Sequence, residues 1–160
     1  MKRILPALLS LALLFSLASC KSDSYLDDVK VNTLSDAVIT ALNDTDYTTA
    51  DDGFLDDYFT TPDYVTEYTV CFATEGNNLN EFGIYHVTAG NAETMKGLLQ
   101  KYLTDSYAKN QSWYDSYIPE ETPKLRDAEV KVFGNYVVYA ICSKEARATV
   151  FSSVEGQLAK

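Results

Sequence analysis

Val130-Lys131-Val132-Phe133-Gly134-Asn135-Tyr136-Val137-Val138-Tyr139-Ala140-Ile141-Cys142 is the stretch whose reading decides the fold. Apolar and polar residues alternate up to Phe133, Gly134-Asn135 suits a tight two-residue turn, and the chain returns as a second strand. That second strand, Tyr136 to Cys142, is apolar on both faces, which marks a central position in a sheet. Ser143 then caps a helix that carries Ala146, Val150, Phe151, Val154 and Leu158 on one side. The same order occurs upstream. Val70 and Phe72 alternate with Thr69 and Cys71, a Gly76-Asn77-Asn78 turn follows, and Phe82 and Ile84 continue the apolar side. Asn91 caps a longer helix, with Glu93 in its first turn and Met95, Leu98, Leu99, Tyr102 and Leu103 as its apolar stripe. The helix gives way to an aromatic, proline-containing connection from Trp113 to Pro123. A strand pair with one apolar face is unstable alone, whereas four strands covered by helices are not. The expected fold is α+β: a mostly antiparallel four-stranded sheet in strand-strand-helix-strand-strand-helix order, with helices packed on one face.

Ahead of this core, Thr33 is placed to cap a short helix with Asp36 at its third position, and Leu34, Val38, Ala41 and Leu42 follow at helical spacing. Residues 43–62 are polar and acidic, and Phe54, Leu55, Tyr58 and Phe59 within them have the spacing of a short docking helix. The N-terminus reads as a leader. Lys2 and Arg3 precede the apolar run Ile4 to Leu17, whose 14 residues fall short of the roughly 20 that span a bilayer. Leu17-Ala18-Ser19-Cys20 closes it as a lipobox. The expectation is a lipoprotein signal peptide over 1–19, removed on processing, a lipidated Cys20 with a tether over 20–32, and a single domain over 33–160. Two acyl chains on Cys20 give stable anchoring at the extracytoplasmic face of the cell membrane.

Charge limits the partners. Without the leader the chain has 11 Lys and Arg against 23 Asp and Glu, and no Lys or Arg lies between Lys30 and Lys96. Such a surface repels phosphate backbones, so nucleic acid is not an expected partner. Cys71 and Cys142 sit in apolar, strand-like surroundings. They read as buried thiols or, in an oxidising compartment, as a disulfide.

His86 is the only imidazole in the chain. By parity it shares a face with Phe82 and Ile84, which favours a structural role. The aspartates between Asp44 and Asp57 lack the spacing of a calcium loop and read as a solvated acidic segment. Trp113, Tyr114 and Tyr117 form the candidate binding surface, since aromatics in a loop stack on sugars or anchor protein interfaces; folding back over the sheet edge as core is the other reading, and the commoner outcome for Trp113 and Tyr117. No phosphate loop, nucleophile elbow or HExxH motif is present, so no catalytic residue, metal ligand or cofactor is assigned.

Asn80-Glu81-Phe82-Gly83-Ile84-Tyr85, the helix from Asn91, Tyr114-x-x-Tyr117-x-Pro119, and Val132-Phe133-Gly134-Asn135-Tyr136-Val137 together resemble an uncharacterised bacterial lipoprotein family, domain of unknown function 4358. The resemblance runs over roughly residues 34–157. It implies a small extracytoplasmic lipoprotein and no known activity, and Asn80 replaces one member of an acidic pair common in the family. The functional expectation is a lipid-anchored binding or interaction module of the cell envelope, acting on an envelope protein or cell-wall polymer. A small-ligand-binding accessory to a transporter is the alternative, and a carboxylate-based envelope enzyme comes third.

Overall fold

Every residue from Tyr136 to Ile141 is buried, so this strand is covered on both sides. The computed structural model, which describes residues 25–44 and 46–160, shows how. The elements run α1 (Val31–Leu42), β1 (Tyr47–Thr49), β2 (Val65–Ala73), β3 (Glu81–Val87), α2 (Ala92–Tyr117), α3 (Thr122–Arg126), β4 (Glu129–Phe133), β5 (Tyr136–Ile141) and α4 (Lys144–Leu158). The strands form an open five-stranded sheet in the order β1-β2-β3-β5-β4, and all its pairings are antiparallel. The α+β class and the succession of two hairpins, each followed by a helix, match the sequence reading.

Two expectations are corrected. The sheet has five strands rather than four, because β1 adds to the edge of β2 through Tyr47 opposite Ala73 and Thr49 opposite Cys71. The helices cover both faces of the sheet rather than one. On one face Val31, Leu34 and Val38 of α1 pack with Val150, Phe151 and Val154 of α4 over Cys71, Phe82, Ile84, Val138 and Ala140. On the other, Met95, Leu99, Tyr102 and Leu103 of α2 and Leu125 of α3 pack over Val70, Tyr85, Val137, Tyr139 and Ile141. The pairing of Cys71 with Phe82 puts these two on one face and sends Val70 to the other. With both faces buried, the alternation in β2 separates two apolar sides instead of an inside from an outside.

Local chemistry sets the helix ends. Ser143 accepts a hydrogen bond from the Ala146 amide at 3.2 Å, the expected cap of α4. Thr33 caps nothing, because α1 already begins at Val31. The carboxylate of Glu67 on β2 accepts from the Val31 amide instead, so a tertiary neighbour serves the helix N-terminus. Helix α2 runs to Tyr117, past the expected break, and ends just before Pro119. The expected helix over residues 54–59 is a succession of turns that buries Leu55.

Residues 25–30, expected as tether, run against the domain. Tyr25 bridges to Ala159, and the Leu26 amide donates to the Leu158 carbonyl at 2.8 Å. The Tyr136 hydroxyl donates to the Val29 carbonyl at 2.7 Å. The signal peptide, Leu17, Ala18, Ser19 and Cys20 lie outside the described residues. Among the described residues no helix is long and apolar enough to cross a membrane.

Candidate functional site

The site is built where β3 begins. In β3, Phe82 and Ile84 point to the α1/α4 face, so by alternation Glu81 points with Tyr85 to the α2 face. There the Tyr102 hydroxyl donates to Glu81 Oε1 at 2.7 Å, and the Tyr139 hydroxyl donates to the same oxygen at 2.5 Å. Tyr139 reaches it across β3 because Gly83, its register partner, has no side chain. A β-carbon at Gly83 would lie 2.9 Å from Tyr139 Cζ, well inside contact distance. Burial pushes the Glu81 carboxyl above the usual carboxylate range, and the hydrogen bonds from Tyr139 and Tyr102 only partly offset this. The same burial, with the neighbouring carboxylate, raises both phenols, so they remain donors.

Glu81 lines a cavity of about 140 Å³, together with Phe54, Phe72, Tyr102, Ser106, Tyr114 and other residues. Phe54 and Phe72 stack with centroids 5.0 Å apart, and Phe54 remains 43% exposed. At the rim the Leu79 amide and Lys124 Nζ both donate to Glu121 Oε2, at 2.8 and 2.7 Å. Lys124 Nζ also reaches Asn78 Oδ1 at 3.2 Å.

The aromatic residues singled out from the sequence stand on the last turns of α2 rather than in a loop. Trp113 is 50% and Tyr117 70% exposed, with their rings 5.3 Å apart. Tyr114 turns inward, packs with the α2-side core and lines the cavity. Its ring stands edge-on to Trp113 at 5.5 Å. An aromatic surface therefore runs from Tyr117 and Trp113 through Tyr114 to the mouth above Glu81. Glu81 itself was missed, since an acidic residue at a strand start reads as surface until the second covered face is known.

His86 lies at the far end of β3, stacked on Tyr136 at 4.4 Å. Its Nε2 is 3.0 Å from Asp27 Oδ1 and its Nδ1 3.0 Å from Thr66 Oγ1. Partial burial pushes the Asp27 carboxyl upward, but hydrogen bonds from His86 and Asn135 outweigh it and hold the group below its usual range. The imidazole thus fastens the segment before α1 to the sheet. Cys71 and Cys142 are free, buried thiols. Burial raises both, Cys142 to about 12. In the acidic segment Asp46 accepts from Thr74 and from the Glu75 amide, and Asp52 accepts from Tyr68. Among the described residues, no three His, Cys, Asp or Glu side chains gather as metal ligands.

The model of the family described as Domain of unknown function (DUF4358) matches residues 40–142. The chain belongs to this family. The match takes in all five strands, α2, α3 and the whole Glu81 cavity, and leaves α4 outside. No curated protein and no solved structure matches the chain.

Proposed function

We propose that this protein is a lipid-anchored extracytoplasmic binding module of the bacterial cell envelope, tethered through Cys20 and engaging an envelope protein or cell-wall polymer. The observation that carries the binding half is the pair of exposed rings on α2, Trp113 and Tyr117, continuous through Tyr114 with a cavity. Large aromatics left in water at the end of a helix are the residue types that dominate interface energetics, because each buries much area for few torsions. The anchoring half rests on the lipobox and on the short apolar run before it.

Two experiments test the two halves separately. A photoreactive side chain at position 117 should yield a discrete cross-linked product on intact cells, and Trp113→Ala should weaken that product by roughly tenfold, as for a residue at the centre of an interface. No product from position 117, or the same product from a position on α4, would remove the binding face. Cys20→Ala should release the protein from membranes, and retention after a high-salt wash would remove the anchor.

A transporter-accessory role is the second reading, favoured by the cavity itself. At about 140 Å³ it is smaller than the roughly 300–1,000 Å³ of most ligand sites, so it suits a group rather than a whole solute. An envelope enzyme with paired carboxylates has less support, because two phenols, not a second carboxylate, hold the Glu81 carboxyl.

A further inference from the structure

We propose that the Glu81 cavity is a receptor for a small organic ammonium group, with Glu81 Oε2 as its counter-ion and the rings of Phe54, Phe72, Tyr102 and Tyr114 as its wall. The inference starts from the binding face described above and adds the chemistry of what enters it. Four observations carry it.

Both tyrosine hydroxyls are spent on Oε1, and among the described residues no donor reaches Oε2. The cavity therefore offers an acceptor to an incoming N–H, and its phenol protons are already committed. Second, among the described residues no cation is paired with this carboxylate. The hydrogen bonds that Glu81 accepts come from Tyr139 and Tyr102, and its other neighbours Tyr85 and Tyr114 are neutral phenols. The basic residue at the rim, Lys124, is held by Glu121 and Asn78. A carboxyl largely withdrawn from water without a partner charge is costly, and a ligand cation supplies what the fold omits.

Third, the wall is aromatic. A cation against ring faces gains from their negative quadrupole, more so when water is excluded. The neighbourhood already shows the effect, since Lys109 Nζ lies 5.2 Å from the Tyr58 ring centre, and Tyr58 packs edge-on against Tyr102. Fourth, size and access fit. A cavity of about 140 Å³ accepts about five heavy atoms, enough for an ammonium and a short alkyl stem. Phe54 carries the cavity to the surface. The strongly acidic chain, with a formal charge of −10, favours the approach of cations.

Because burial favours the protonated Glu81 in the empty site, ammonium binding draws the carboxyl into its ionised form and releases a proton. Affinity should therefore rise with pH until Glu81 is ionised without ligand. The ammonium can belong to a free amine or to a lysine side chain presented by a neighbouring protein, and the two are separable.

The test is calorimetric titration of the full-length chain in detergent micelles with n-butylammonium, Nα-acetyl-lysine methylamide and, as the neutral comparison, 1-butanol. The expected result is saturable binding of n-butylammonium, with 1-butanol weaker by roughly tenfold or more, and proton release detected in buffers of different ionisation enthalpy. Glu81→Gln should abolish the proton release and most of the affinity. If Glu81→Gln does not fold, Phe54→Ala on the exposed turn should still weaken binding several-fold. Lysine derivative binding as tightly as the amine assigns the source to a protein side chain, and binding of the amine alone assigns it to a free small molecule. No binding of either amine overturns the proposal. Equal binding of 1-butanol, or affinity unchanged in both variants, does the same. Such a failure leaves the cross-link from position 117 unaffected, so the two readings fall separately.

Discussion

Glu81→Gln should make the protein's stability less dependent on pH, and the size of the change follows from where the carboxyl sits. The substitution keeps the shape and keeps an acceptor for Tyr102 and Tyr139, but it removes the ionisation. Burial raises the Glu81 pKa above the ordinary glutamate value of 4.5. Between 4.5 and the raised value, the native state holds a proton that the unfolded chain has released. The stabilisation from that proton is complete below 4.5 and is lost as pH rises through the native pKa. The loss proceeds at up to about 1.4 kcal/mol per pH unit, the free energy of one pKa unit. Glutamine has no such term. The stability of Glu81→Gln minus that of the unmodified chain should therefore grow with pH in this window and level off above it. Urea denaturation of both chains at several pH values from about 4 to 8 and constant ionic strength measures this difference, and other titrating groups cancel in it. A difference flat to within about 0.3 kcal/mol would mean that Glu81 titrates alike folded and unfolded, and the enclosure argument would fail. A difference that shrinks with rising pH would show that the site stabilises the ionised form.

Gly83→Ala should cost about 3 kcal/mol or more, because its methyl group enters the Tyr139 ring, which fills the space beside β3; a shift below about 0.5 kcal/mol in urea denaturation would show that the ring can move away freely. Cys71 and Cys142 should resist thiol reagents in the native protein and react together in denaturant, since both are buried and raised well above neutrality. Fast native labelling, or a mass change on reduction, would contradict that. Trp113→Ala should alter stability by less than about 1 kcal/mol, given a ring half in water, while weakening the cross-link from position 117. A large loss of stability would reassign Trp113 to packing.

The second hairpin and α4 were legible because their signals are local. Gly134-Asn135 sets the turn, Ser143 sets the cap, and the apolar residues of α4 repeat at helical spacing. The faces of the sheet were harder. Period two in β2 suggests one apolar side, although Val70 and Cys71 are both buried, on opposite faces. The clue lay in Tyr136 to Ile141, since a strand apolar on both faces needs cover on both. Strand β1 leaves little signal: its three residues are partly polar and lie in an acidic segment, and only Tyr47 packs on the core, so pairing with β2 does most of the holding. Of the candidate site, Trp113, Tyr114 and Tyr117 could be named from composition, but only the helix phase separates the inward Tyr114 from its two exposed neighbours. Glu81 was hidden because its environment is made by residues 20 and more positions away, Tyr102 and Tyr139.

The docked segment before α1 gives the domain a polarity. Its contacts with His86, Asn135 and Leu158 all gather at one end of β3, whereas Glu81 opens the other end. Six steps of strand put these ends about 20 Å apart. With the acyl chains proposed at Cys20, only four residues lie between the lipidated residue and the docked Tyr25, a leash of at most about 18 Å. A leash shorter than the body it holds leaves little room for tumbling. The domain would stand on its His86 end, with the aromatic mouth facing away from the bilayer toward the wall.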